Sequence, residues 1–309
     1  MVILDTIAPV FLVVGLGAGL QQFKIVPTNF LKEANQLTYN VGMPALFFVQ
    51  LAVGLPTVAG VKPLLAVMLI ATGLTAAAAY GVTRLTGLRG GVEGTYVQGA
   101  FRGNLAFVGL PIIFALPDLP LAGGIALHQA AVIVVAPMML LYNVLSVVVL
   151  LAGQHRLGWA MIRPMLKQLA LTPPLVAIVA GMLFSGAGWT LPTFSFKSLT
   201  ALGEMALPLG LLGVGGALMT CNLAAGWRRP LGSALLRTAF APLAGWVLGT
   251  WWGLDPLGLK LVMIFLATPT AIVSYTVALA LKGDDRLASA IIGISVLTSL
   301  ITLSLIVAL

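Results

Sequence analysis

Charge is scarce in this chain. Only 8% of its 309 residues are Asp, Glu, Lys or Arg, against 60% hydrophobic ones, and the mean hydropathy is +1.09. A soluble globular domain carries about 25% charged residues, so this composition excludes one and puts the chain in a membrane. Cysteine occurs once, at Cys221, and histidine twice, at His128 and His155, which excludes an intrachain disulfide and leaves no cluster with metal-ligand spacing. Strict apolar/polar alternation is also missing, and with it the pattern of a transmembrane barrel. Long apolar runs are left, and their backbone groups must be satisfied within each segment, as helix. There is no Walker motif, so the chain does not hydrolyse ATP on its own. "GLGAGL" lies inside an apolar run rather than between a strand and a helix, so it is no phosphate loop. Its Gly15 and Gly19 form a small-xxx-small pair expected to bring two helices close. The formal charge of +8 comes without a basic cluster interleaved with aromatics, so no nucleic-acid partner and no cofactor are expected.

What the chain has is apolar runs, each bounded by charges, Pro or Gly. A bilayer core about 30 Å thick needs roughly 20 residues per helix, and 309 residues then allow roughly ten spans. They are expected at 3–22, 33–52, 62–84, 93–116, 122–152, 168–188, 198–221, 231–253, 259–282 and 287–309. The fold class is therefore an all-α polytopic membrane protein. The first run carries Asp5 rather than a basic start and lacks a small-residue cleavage site, so it reads as a span and not as a cleaved signal.

With the N-terminus outside, the cytoplasmic side receives Lys24, Lys32, Arg84, Arg89, Arg156, Arg163, Lys167, Arg228, Arg229, Lys282 and Arg286, eleven in all, and the outside only Lys62, Lys197 and Lys260. This bias predicts a multi-pass protein of the cell (inner) membrane with both termini on the periplasmic or extracellular side.

The chain resembles itself at an offset of 164 to 167 positions. Pro9 falls on Pro173, Gly17 on Gly181 and Pro44 on Pro208, Pro63 meets Pro230 at a slightly larger offset, and Asn104 falls near Pro269. Residues 1–152 and 168–309 then each hold five spans, joined by a short basic linker at 153–167. An odd number of spans turns the second half upside down, which gives a 5+5 inverted repeat. In such folds one helix per repeat breaks near the midplane to form the site. "FRGNLAFVGLPI" in span 4, with Gly103, Asn104, Gly109 and Pro111, and "FLATPTAIVSYTV" in span 9, with Thr268, Pro269 and Thr270, are the expected breaks.

Ionisable groups at membrane depth are costly and point to function. Arg102 lies about nine residues into span 4, beside the break, where a half-helix N-terminus and a guanidinium together suit a carboxylate. The alternatives are that it caps carbonyls freed at the break or pairs with an acid such as Glu204. Asn104 offers donors and an acceptor, and Thr268, Thr270, Ser274 and Tyr275 offer hydroxyls, each of which could instead bond its own helix. Tyr142, Asn143 and His128 could complete a polar lining, with His128 read first as a structural histidine. Glu204, aligned in the repeat with Asn40, is a candidate for proton coupling or else a structural or exposed acid. Arg237 lies about 10 Å along its span from the cytoplasmic end, within reach of a snorkelling side chain, and is expected to do that.

"YNVGMPALFF", "GNLAFVGLPI" and "ATPTAIVSYTVALALKGDDRLASAIIGISVLTSLITLSL" together resemble the auxin efflux carrier family over most of the chain. That family includes the plant PIN-type carriers and bacterial carriers for malonate, malate and similar acids. The resemblance implies ten helices, a scaffold of spans 1, 2, 6 and 7, a transport domain with spans 4 and 9 crossed, and a homodimer. Two departures stand out. The plant proteins place Pro directly before the span 4 Asn, where Gly103 stands here, and their long middle loop shrinks to "GQHRLGWAMIRPMLKQ". The first argues against auxin and the second for a prokaryotic-type carrier.

The function expected is a secondary carrier of small organic anions, carboxylates first, working by alternating access, with no enzymatic activity. The substrate-binding candidates are Arg102, Gly103, Asn104, Pro111, Thr268, Pro269, Thr270, Ser274, Tyr275, Asn40, Tyr142 and Asn143. The competing classes are a channel, for which the helices lack an evident water-lined path, and an intramembrane enzyme, for which no catalytic spacing occurs. The coupling ion, H+ or Na+, stays open, and a sodium-coupled symporter remains an alternative.

Overall fold

The apolar runs form helices throughout the computed structural model, which describes residues 2–27, 29–52, 60–154, 171–219, 221 and 226–309, and no strand occurs among them. The basic linker, with Arg156, Arg163 and Lys167, falls almost wholly outside the described residues. In chain order the helices are α1 (Val2–Gln22), α2 (Phe30–Leu37), α3 (Met43–Ala52), α4 (Lys62–Thr86), α5 (Gly91–Phe101), α6 (Leu110–Phe114), α7 (Leu127–Gly153), α8 (Pro173–Gly186), α9 (Thr193–Glu204), α10 (Ala206–Leu218), α11 (Arg228–Leu235), α12 (Ala241–Trp251), α13 (Pro256–Ala267), α14 (Val273–Ala280) and α15 (Asp285–Ala308). Wide π turns at Thr38–Gly42, Leu105–Gly109 and Leu236–Phe240 join α2 to α3, lead into α6, and join α11 to α12.

Five of these segments are long and apolar enough to cross a bilayer: Lys62–Thr86, Leu127–Gly153, Thr193–Leu218, Arg228–Trp251 and Asp285–Ala308. Thr6–Gln22, Leu105–Phe114, Pro173–Gly186 and Pro256–Ala267 are shorter apolar helices. This is an all-α membrane protein. Local chemistry sets several boundaries. Proline opens α8 and α13, where the missing N–H costs nothing. The Asp255 carboxylate accepts from Gly258 N (3.2 Å) and that of Asp284 from Leu287 N (2.9 Å), capping α13 and α15. The fifth segment starts later than the apolar run at 122, because residues 121–126 form a turn with Gly124 at φ +76° and the Asp118 carboxylate accepts from His128 N to start α7.

The helices fall into two groups. In the first, α1 packs on α10, and α3 packs on both α8 and α9. In the second, α4, α5, α7, α11, α12, α13 and α15 surround the broken segments. The contact of α1 with α10 is not made by the Gly15 and Gly19 pair: a Cβ at Gly15 would meet nothing within 4 Å, and one at Gly19 only the Phe23 ring. Gly17 makes it instead. A Cβ there would lie 2.1 Å from the Leu212 carbonyl oxygen, and one at Gly215 would lie 1.9 Å from that of Val14, so the two backbones touch. Spacing alone identified the small residues but not which of them faces the partner.

Residues related by the repeat offset occupy related places. Gly17 of α1 lies on Leu212 of α10, while Gly181 of α8 lies against Phe48 and Leu51 of α3. Gly42 faces Ala206, 164 positions later, and Gly103 pairs with Thr270, 167 positions later.

Candidate functional site

Two helices break at the same level and bind each other through the gaps. The α5 helix ends at Phe101, Arg102 and Asn104 leave helical geometry (ψ 89° and 68°), and helix resumes at Leu105. The α13 helix ends at Ala267, and Thr268 is extended (ψ 145°), as the residue before a proline must be, with Pro269 unable to donate a helical bond. The freed groups find each other: Asn104 N donates to Pro269 O (2.8 Å), and Ala271 N donates to Arg102 O (2.9 Å). Around this antiparallel pair, Thr270 N donates to Ser295 Oγ (2.9 Å), Thr270 Oγ1 donates to Gly99 O (2.8 Å), and the Asn104 side chain accepts from Phe107 N (3.2 Å). At membrane depth every such bond is obligatory.

Arg237 does not snorkel. It is 0% exposed, and its five N–H donors all meet oxygens at the break. Nε donates to Thr268 O (2.9 Å), Nη1 to Phe101 O (2.8 Å) and Tyr142 Oη (3.4 Å), and Nη2 to Phe265 O (2.5 Å) and Thr268 Oγ1 (2.7 Å). Distance along the helix gave its reach but not its direction. The Leu236–Phe240 π turn, which carries it, sits against α13 and α5. The capping of freed carbonyls, one alternative reading for Arg102, is thus performed by Arg237.

Arg102 is left with spare capacity. It is 4% exposed, its Nη2 donates to Asn143 Oδ1, and its Nη1 has no hydrogen-bond partner among the described residues. No carboxylate pairs with it there: the ion pairs among the described residues are Arg84 with Glu93 and His128 with Asp118. Tyr39 lies beside Thr172 and within electrostatic reach of the guanidinium. Tyr39, Asn143 and Thr172 line a narrow cavity between α3, α7 and α8 that has room for one water at most, about 10 Å³. A second cavity of about 520 Å³ opens between α1, α3, α9 and α10 on one side and α6 and α7 on the other. Its walls are mainly apolar, among them Val13, Leu46, Leu207 and Phe114, with Gln50, His128, Thr200 and Glu204 as polar exceptions. Adjacent residues of α3 separate the two spaces, Leu46 facing the large one and Phe47 the small one.

The other residues singled out from the sequence divide into three sets. Gly103, Asn104, Thr268, Pro269, Thr270, Ser274, Tyr142 and Asn143 come together at the crossover with Arg102. Pro111 and Glu204 line the large cavity, where Glu204 is exposed. Asn40 is exposed on the first π turn and Tyr275 is 38% exposed on α14, so neither reaches the break. Thr268 Oγ1 donates back to Phe265 O within its own helix, whereas Ser274 Oγ and Gln98 Oε1 are buried beside the crossover without partners among the described residues. His128 Nε2 lies 3.1 Å from Leu116 O, which anchors the ring structurally. Sequence reasoning missed Tyr39, Gln98 and the role of Arg237. A buried arginine in "LLRTAF" was the available signal for the last.

A comparison with curated proteins returns no match. The sequence profile of the membrane transport protein family matches residues 2–307. Nearly the whole chain is covered, and the family is the one its motifs resemble: the chain belongs to the membrane transport protein, or auxin efflux carrier, family.

Proposed function

We propose that this protein is a secondary carrier of small organic anions, carboxylates first, and that Arg102 holds the anionic group. The observation that carries this reading is a guanidinium buried beside two helix breaks, with one terminal nitrogen unpartnered and no carboxylate against it among the described residues. A buried cation left so is costly, and a ligand carboxylate gripped by the planar fork would supply what is missing. The segment resuming at Leu105 adds the positive end of a helix dipole on the same side of the break.

The two helix groups supply the moving parts. In this reading the group of α1, α3 and α8 to α10 is the scaffold, and the crossover group carries the anion past it. The paired positions Gly42 with Ala206 and Gly103 with Thr270, and the exchanged packing of Gly17 and Gly181, support ten spans built as a 5+5 inverted repeat of residues 1–152 and 168–309. With both termini outside, the 520 Å³ cavity opens outward and the contacts of Tyr39, Thr172 and Asn143 close the inner side. Glu204, on the scaffold wall of that cavity, is the candidate proton carrier.

Counterflow in proteoliposomes tests the reading. Vesicles preloaded with an unlabelled carboxylate should accumulate the labelled one transiently and saturably. Unsaturated conductance would identify a channel, and chemical conversion an enzyme.

A further inference from the structure

The three main-chain oxygens held by Arg237 are not scattered ones. Phe101 is the last residue of α5, and Phe265 and Thr268 belong to the final turn of α13 and its cap, so the guanidinium sits at two helix C-termini at once. Helix C-termini carry orphan carbonyls and partial negative charge. The Thr268 and Tyr142 hydroxyls complete a shell of five oxygens, and the Tyr142 ring centroid lies 5.8 Å from Cζ. In carriers with broken helices, unwound carbonyls and half-helix C-termini are where a coupling cation binds.

We propose that the Arg237 guanidinium is the resident cation of this crossover, permanently filling a seat for a monovalent cation, so that anion movement needs no Na+. A covalently held guanidinium neutralises both helix ends through the whole cycle, as a bound ion does only while it stays. The seat is shaped for it: a Cβ at position 103 would lie 1.8 Å from Nη2. Arg102 and Arg237 then have separate tasks, the first free to meet a ligand and the second spent on the protein's own carbonyls. Anion movement without Na+ rests on the carrier reading; the seat itself does not.

Thermal unfolding of purified protein tests it. Arg237→Ala should melt well below wild type, and millimolar guanidinium, far under its denaturing range, should return much of the lost melting temperature while leaving wild type unmoved. Wild type should melt identically in sodium chloride and choline chloride, and its anion uptake should be equal in both. Failure of guanidinium to raise the Arg237→Ala transition would overturn the proposal, as would a Na+-specific rise in wild-type melting or Na+-dependent uptake. If Arg237→Ala does not accumulate, the sodium and choline comparison on wild type decides alone. That melting comparison involves no anion, so a protein that transports no carboxylate would refute the carrier reading without touching the seat.

Discussion

Arg237 fills the space that a side chain at position 103 would need: a Cβ built on Gly103 would sit 1.8 Å from Nη2, 2.3 Å from Cζ and 2.5 Å from Thr268 Oγ1. The crossover therefore depends on a pair, one residue with no side chain and one with the largest fully buried side chain among the described residues. Neither could be exchanged alone.

Gly103→Ala forces either the guanidinium or the Thr268 side chain out of place, and overpacking of that kind costs about 1–3 kcal/mol before any hydrogen bond is lost. Thermal unfolding in detergent should show a large drop for Gly103→Ala and none for Gly73→Ala, where an added Cβ meets nothing within 4 Å.

The contact of α1 with α10 gives a second comparison. Gly17→Ala places a methyl against the Leu212 backbone, which cannot move without separating the helices, whereas Gly15→Ala meets open space. Gly17→Ala should lower the melting temperature by several degrees and Gly15→Ala should not. The reverse order would mean that the two helices meet on a different face.

Labelling checks the orientation, which rests on eleven basic residues against three. In a Cys221→Ser background, a cysteine at Lys197 should react with an impermeant thiol reagent added outside intact cells, and one at Arg228 should be shielded. Reverse labelling would invert the topology.

Coupling is tested at Glu204, the acid on the wall of the large cavity. Glu204→Gln should retain anion exchange and lose accumulation driven by a pH gradient, read in the same proteoliposomes at fixed anion gradient. An unchanged response would remove Glu204 from the mechanism.

Much of the architecture is written where composition and period leave no choice. Apolar runs in lipid must be helical, Pro269 and Gly103 mark the breaks, and Asn104 beside Arg102 marks which break carries polar chemistry. What the sequence conceals is rotation about the helix axis. The π turn at Thr38–Gly42 inserts a residue into the 3.6 period, so Asn40 ends up exposed and its neighbour Tyr39 turns toward Thr172 and Arg102. Arg237 rides on another π turn, and its place along the span says nothing about which way its guanidinium points. Gly17 rather than Gly15 meets α10 for the same reason.

In the proposed carrier, Arg102 binds the substrate's anionic group while Arg237 holds the crossover together. Calorimetric titration of the best carboxylate, chosen by thermal shift, into purified wild type, Arg102→Lys and Arg102→Ala tests it directly. Lysine keeps the charge but loses the planar fork. Arg102→Lys should fold and bind at least roughly tenfold more weakly, a loss of about 1.4 kcal/mol, and Arg102→Ala should fold and show no binding. Wild-type affinity in a stably folded Arg102→Ala protein would contradict the account.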